Sequence, residues 1–329
     1  MLRLKPLIVR DPAFQQEAFR LLIPADWRGT GRVDWRFHPQ YPAALSVRAE
    51  NPAGAEAVYS YPLIPFVAGV WHLPEGGYYL GNEVRPYPGG ITAYVQSYLL
   101  PRLRPEMRNY RVLDTRDMPK WAGASTAVRD ATAVGIPASA TAGCVRIAYT
   151  DGGRAVQEEF YVMLVRAHIV GLDYWGTELC SSVRAEPGHL DPVRKIYETM
   201  VSSFRLDVHW FSRQQQVAAM VVNVLNNEQA AVMNLSRYLA QTNDQVTAVI
   251  RDSYQRRQDA MDRVNAQFSQ YIRGVDEYSN PFEGHPVELP SGYRNAWANA
   301  AGEYILSDDP NFNPNVQGTG NWQALRPTH

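Results

Sequence analysis

An α+β protein is predicted, built from an antiparallel sheet flanked by helices, then a long α-helix and a small β-rich C-terminal module. Three observations in the 329-residue chain predict it. Proline and glycine are dense from residue 6 to 192, absent from 204 to 273, and back from 274 to 327. Both break regular elements, so their distribution divides the chain at 1–207, 208–274 and 275–329. Next, Val145, Ile147 and Tyr149 alternate with Arg146 and Ala148 just before Asp151-Gly152-Gly153. That is the period of a half-buried strand running into a hairpin turn. Finally, residues 213–273 hold neither Gly nor Pro and lie between a Ser212/Gln215 capping-box pair and Gly274, which can close a helix in the left-handed conformation.

In order along the first part, extended runs are expected at 44–50 and 55–61, joined by the turn sequence Asn51-Pro52-Ala53-Gly54. Ile91, Tyr94, Val95, Tyr98 and Leu99 have helical spacing. That helix is expected to break near Pro101, which has no N–H to donate and crowds the preceding turn. After the Gly-Gly turn, 160–165 resumes as an apolar strand, and 169–175 and 179–183 continue an antiparallel meander. Asp191-Pro192 reads as an N-cap with proline at the first helical position. The helix should run to about Ser203 and bury Val193, Ile196, Tyr197 and Met200.

As one helix, 213–273 would extend about 90 Å at 1.5 Å per residue. A break at Asn226-Asn227 or Thr242-Asn243-Asp244 would make it a hairpin instead. Leu235, Leu239, Val246 and Val249, and then Val264 and Phe268, follow a 3–4 spacing. The seam is too polar for a strong coiled coil and too regular for a linker. It is expected to be covered, either by the first domain or by a second copy of the chain in a homo-oligomer. In the tail, short strands are expected at 286–289, 293–299 and 302–306, and so small a module has little core beyond Trp297, Tyr304 and Trp322 unless it packs on another part.

Three stretches of the first part resemble the Mog1/PsbP-like fold. Ile23-Pro24-Ala25-Asp26-Trp27 is similar to the entry of such domains, the 144–183 meander to their central sheet, and the 191–204 helix ending Ser202-Ser203-Phe204 to their closing helix. The resemblance implies a binding role, since bacterial relatives of the fold look mostly like adaptors, chaperones or envelope lipoproteins. It transfers no catalytic residue. No lipid-attachment cysteine stands near Met1, and the long helix and tail lie outside that fold.

With 32 basic against 33 acidic side chains and no run of like charge, nucleic acid is not the expected partner. No apolar stretch reaches the roughly 18 residues of a membrane span. Residues 1–10 read as mature sequence rather than a signal peptide, which leaves the compartment open. Familiar catalytic motifs are absent, and no cofactor is expected. Cys144 or Cys180 meeting His168 would be a thiol nucleophile with its base, and buried strand cysteines are the plainer reading. Asp309, Asn311, Asn313 and Asn315 alternate like calcium ligands, but Pro310 and Pro314 interrupt them and favour local turns. Trp71, Tyr78, Tyr79 and Tyr87, in a Gly/Pro-rich stretch, are candidates for a concave ligand or partner face, as are Trp297, Tyr304 and Trp322 in the tail. The function expected is a non-catalytic adaptor or scaffold that binds a protein, and the alternative is a hydrolase or thiol enzyme with a site in the aromatic cleft.

Overall fold

The computed structural model describes residues 1–107, 109–226, 239, 241–243, 245–272, 274–317 and 321–328, and no side chains at 268–272 or 317. It is a mixed α+β protein with more strand than helix. The strands are β1 (Leu2–Asp11), β2 (Gln16–Pro24), β3 (Arg28–Trp35), β4 (Ala43–Glu50), β5 (Ala57–Ser60), β6 (Pro65–Ala68), β7 (Tyr78–Tyr79), β8 (Asn82–Val84), β9 (Tyr110–Asp117) and β10 (Ala138–Asp151). Then come β11 (Arg154–Ile169), β12 (Leu172–Ala185), β13 (Arg205–Leu206), β14 (Val275–Ser279), β15 (Val287–Pro290), β16 (Asn295–Ala298), β17 (Tyr304–Ser307), β18 (Gln323–Ala324) and β19 (Arg326–Pro327). The helices are α1 (Ile91–Tyr94), α2 (Leu100–Leu103), α3 (Pro119–Gly123), α4 (Thr126–Ala133), α5 (Leu190–Ser202), α6 (Val208–Asn226), α7 (Ala248–Ile272) and α8 (Pro314–Gln317).

The meander forms the centre of the largest sheet, whose order is β3-β4-β5-β12-β11-β10-β9, with β6 beside β12 and β8, and β7 on β8. Gly152 and Gly153 turn β10 into β11 with φ of 56° and 83°, values that cost glycine nothing. The strand expected at 169–175 begins later, because Ile169 ends β11 and Val170-Gly171 is a turn, and β12 then runs from Leu172 through the segment expected at 179–183. Met163 pairs with Leu179 and Leu164 with Thr177, so Glu178 is a bulged extra residue. Its carboxylate accepts from the backbone N–H groups of Thr126 (2.8 Å) and Ala127 (3.2 Å), which anchors the start of α4.

Alternate side chains of β11 enter different cores. Tyr161 and Met163 join Tyr197, Met200, Trp210 and Phe211. Phe160, Val162 and Leu164 join Tyr94, Val95 and Leu99. At the crossing of β3 over β1 and β2, a Cβ on Gly31 would stand 2.2 Å from Val9 Cγ2, and one on Gly29 2.6 Å from Ile23 Cδ1. A side chain at either position would force Val9, or Ile23 and Leu7, to shift.

Several expectations are corrected. The 91–104 helix does not break at Pro101. It continues through a π-helical turn, Val95–Leu99, into α2, where proline sits in the first turn and its missing N–H is tolerated. α5 begins at Leu190 with His189 at the cap position, because Leu190 is itself buried in the core, and Asp191-Pro192 falls inside the first turn.

Residues 213–273 are not one uninterrupted helix. α6 starts earlier, at Val208, where the Asp207 carboxylate accepts from Trp210 N–H at 2.9 Å. Ser212 therefore lies within the helix and donates to the Gln245 carbonyl at 2.7 Å instead of capping. Residues 242–243 and 245–247 are not helical. Gln216 and Asn243 exchange hydrogen bonds there, the Asn243 N–H donating to Gln216 Oε1 at 3.0 Å, and Asn243 Oδ1 accepts from Gln245 N–H at 3.0 Å. Such side-chain bonding offers the backbone an alternative to the helix. α6 and α7 pack together and fold back on the first part. The 90 Å spacer is thus replaced by a folded-back pair of helices.

The tail packs on another part. β17 pairs with β1, Leu4 opposite Tyr304, giving the sheet order β13-β2-β1-β17-β16-β18. β14 pairs with β15 and β19 in a third sheet. Tyr278, Leu289, Tyr304 and Leu306 share a core with Leu4 of β1 and Leu22 of β2, so the first two strands supply what the tail lacks.

Candidate functional site

Two hairpin turns of the large sheet carry exposed apolar residues in a costly backbone conformation. Tyr79 pairs with Asn82, leaving Leu80-Gly81 as the loop, and Ile169 pairs with Leu172, leaving Val170-Gly171. Leu80 and Val170 both have φ of 49°, followed by glycines at 82° and 78°. Two-residue hairpin loops with positive φ at both positions favour Asn or Asp first. A β-branched residue there is an outlier, and left-handed backbone costs an L-residue roughly 1–2 kcal/mol. Yet Val170 is 96% exposed and Leu80 44%, beside Trp71 at 92% and Tyr78 at 67%. The Val170 turn lies against Gly69, where a Cβ would stand 3.6 Å from the Gly171 carbonyl oxygen, and the register of β6 with β12 and β8 puts the Leu80 turn beside the other end of β6. Trp71 stacks edge-on to His72 at 5.3 Å, and His72 lies 6.4 Å from Tyr79.

The Leu80 turn is held from beneath. His38 Nδ1 accepts backbone N–H groups from Gln40 (3.1 Å) and Tyr41 (2.9 Å), so its proton resides on Nε2, 3.2 Å from Asn82 Oδ1. The Asn82 amide donates to the carbonyls of Tyr79 (3.3 Å) and Leu80 (3.2 Å). Burial pushes the His38 pKa down to about 4, so the ring is neutral at pH 7.

The other candidate residues lie elsewhere. Tyr87 packs edge-on against Trp175 at 5.7 Å under the Arg166 guanidinium. Neither cavity described below is lined by Trp71, Tyr78, Tyr79 or Tyr87. In the tail, Tyr304 and Trp322 are buried and offer no surface, while Trp297 is half-buried. Along the helices, Val264 is buried in the chain's own core and unavailable to a second copy. Val249 is exposed, Leu239 and Val246 are half-buried, and Leu235 and the Phe268 side chain lie outside the described residues.

The thiol–histidine pair does not form. Cys144 and Cys180 are free and buried, on β10 and β12 with β11 between them and in different cores. His168 bonds Asp173 at 3.1 Å, and on β11 it lies seven residues from Tyr161, the partner of Cys144. At about 3.3 Å per residue that is about 23 Å. Burial pushes the Cys144 thiol up to about 12 and raises that of Cys180. Neither thiol is expected to react with an alkylating reagent at pH 8 until denaturant is added; labelling of the native protein at the rate of free cysteine would contradict this. In the tail, the side chains of Asp309 and Asn313 accept from backbone N–H groups two residues on, at 2.9 and 3.0 Å, as local turns do.

Two residues that sequence reasoning passed over dominate the polar interior. Glu158 and Glu159 are consecutive on β11, fully buried, and face opposite ways. Glu158 accepts from Arg104 (2.8 Å), Ser182 (2.5 Å) and Tyr149 (2.7 Å). Glu159 accepts from Arg146 (2.6 Å), from Arg194 through two N–H groups at 2.7 Å, and from Tyr161 (2.7 Å). A pair of carboxylates inside an apolar strand, with arginines on its neighbours, was the available signal.

A polar cavity of about 940 Å³ lies on the Glu158 side. Arg48, Arg104 and Arg184 surround the Tyr59 ring at 5.5, 4.7 and 5.8 Å. Each has its own carboxylate, namely Glu50, Glu158 and Asp151, so their charge is already answered. A second, more apolar cavity of about 840 Å³ lies between the sheet and the α6–α7 pair.

No family model and no curated protein matches the chain. Among solved structures it is similar to the solution structure of cyanobacterial PsbP (CyanoP) from Synechocystis, at 10% identity over 63% of this chain and 94% of that one, with a TM-score of 0.23. No described helix is long and apolar enough to cross a membrane.

Proposed function

We propose that the chain is a non-catalytic binding or adaptor protein that engages a protein partner through Trp71, Tyr78, Leu80 and Val170, on an antiparallel sheet flanked by helices. One observation supports this above the others: apolar side chains displayed at Leu80 and Val170, where the backbone would be better served by asparagine. Strain that persists in an exposed turn marks a constraint other than stability, and exposed aromatic groups are the usual anchors of protein contacts.

Substituting Val170→Asn and Leu80→Asn together separates the two roles. Relief of backbone strain is expected to stabilise the fold by about 1 kcal/mol. Partner capture, read by a photo-crosslinking residue at position 78 in the native host, is expected to fall at least tenfold. A crosslinker at exposed Val134 serves as the control. Crosslinking no stronger at 78 than at 134, or unaffected by the double substitution, would overturn the proposal.

A further inference from the structure

The cleft between the sheet and the α6–α7 pair has on its lining an arginine, Arg257, that pairs with no carboxylate among the described residues. Its lining is mixed, with an apolar part formed by Leu45 and Leu179 from the sheet, Met200 from α5, Phe211 from α6, and Ala260 and Val264 from α7. Arg257 of α7 reaches into it, its guanidinium 5.8 Å from the centre of the Phe211 ring. Arg257 lies deep in this cleft, with much of its surface open to solvent. Tyr41, on the same lining, shares this property.

Among the described residues no carboxylate pairs with Arg257. The acidic groups on the lining are otherwise engaged: Glu178 holds the start of α4, Asp130 pairs with Arg129, and Asp259 accepts from Gln255. An unpaired guanidinium set beside apolar walls leaves its N–H donors open to a ligand carboxylate. The volume falls within the roughly 300–1,000 Å³ of small-molecule sites, which combine apolar walls with a few placed polar groups.

We propose that this cavity binds an amphipathic carboxylate with an aliphatic body, such as a fatty acid, its carboxylate paired with Arg257 and its chain against Leu45, Met200 and Val264. A guanidinium presents two parallel N–H donors to a carboxylate, and the aliphatic walls suit a chain better than a sugar or nucleotide. This inference is independent of the exposed turns, which lie outside the cavity.

Dodecanoate is the probe, with binding to the full chain followed by calorimetry and by the emission of Trp210, which also lines the cavity. Saturable one-to-one binding is expected. Arg257→Gln is expected to weaken dodecanoate at least tenfold while leaving dodecanol within twofold. Ala260→Phe, which fills the cavity, is expected to abolish both. The proposal is overturned if dodecanoate does not saturate, if Arg257→Gln binds it as tightly as the parent, or if dodecanol and dodecanoate bind the parent equally. Near-ultraviolet circular dichroism confirms that each variant is folded, and failure of Ala260→Phe to fold leaves the Arg257→Gln comparison decisive.

Discussion

Glu159→Gln is expected to destabilise the fold by about 3–5 kcal/mol in urea unfolding, because removing one side of a buried ion pair strands the other. Glu159 is fully buried, and Arg146 on β10 and Arg194 on α5 both donate to it. Glutamine keeps the shape but answers neither charge. The same site predicts an acid limb. Burial works against ionisation, but hydrogen bonds from Arg194, Tyr161 and Arg146 outweigh it and hold the Glu159 carboxyl at about 2. A depressed carboxyl contributes stability at pH values above its unfolded pKa, and the contribution drains away as pH falls through the folded one. Stability from this residue is therefore lost between about pH 4.5 and pH 2, on the order of 3 kcal/mol in total. His38, depressed by burial, has the same sign at higher pH: below about 6.5 the unfolded chain takes a proton that the native ring refuses down to about 4. In Glu159→Gln the lower step should vanish and the upper one remain. Identical acid profiles for parent and variant would contradict the account of Glu159.

Trp210→Ala is expected to cost about 3–5 kcal/mol as well, and more if Asp11 cannot be resolvated. Trp210 fastens α6 to the sheet. Its indole N–H donates to Asp11 Oδ2 at 2.6 Å, and Trp35 donates to the same oxygen at 2.8 Å. Asp11, Trp210 and Phe211 are all buried, so alanine removes a large apolar surface and a hydrogen bond together. Trp210→Phe, which keeps most of the ring, is expected to cost about 1–3 kcal/mol, roughly the price of one lost buried partner. A loss below 1 kcal/mol for Trp210→Ala in equilibrium unfolding would mean that α6 is not seated on the sheet.

The sequence disclosed what short-range physics controls. Alternation around Asp151-Gly152-Gly153 located the meander, because a period of two with a Gly-Gly turn has few other solutions. The helix from Leu190 to Ser202 was legible from the 3–4 spacing of Val193, Tyr197 and Met200. What stayed hidden depends on partners distant in sequence. Nothing near Tyr304 announces that it lies opposite Leu4 on the other end of the chain. The absence of Gly and Pro over 213–273 permits a helix but does not require one, and at the break Asn243 Oδ1 accepts from Gln245 N–H, a local bond that competes with the helix. The exposed turns were half legible. Trp71 and Tyr78 stood out by residue type, while Val170-Gly171 resembles ordinary strand sequence until its φ is known. Arg257 is one of several arginines in α7, with Arg251, Arg256 and Arg263. Only the packing of α7 over the sheet sets it apart.

Amide hydrogen exchange in dilute solution tests most directly whether the apolar side of α6 and α7 is covered by the chain itself. The structure predicts slow exchange in both 208–226 and 248–272, comparable to β11 and independent of protein concentration from the low micromolar range upward. Fast exchange in these helices when dilute, slowing only as concentration rises, would show that another copy does the covering and would contradict the fold-back.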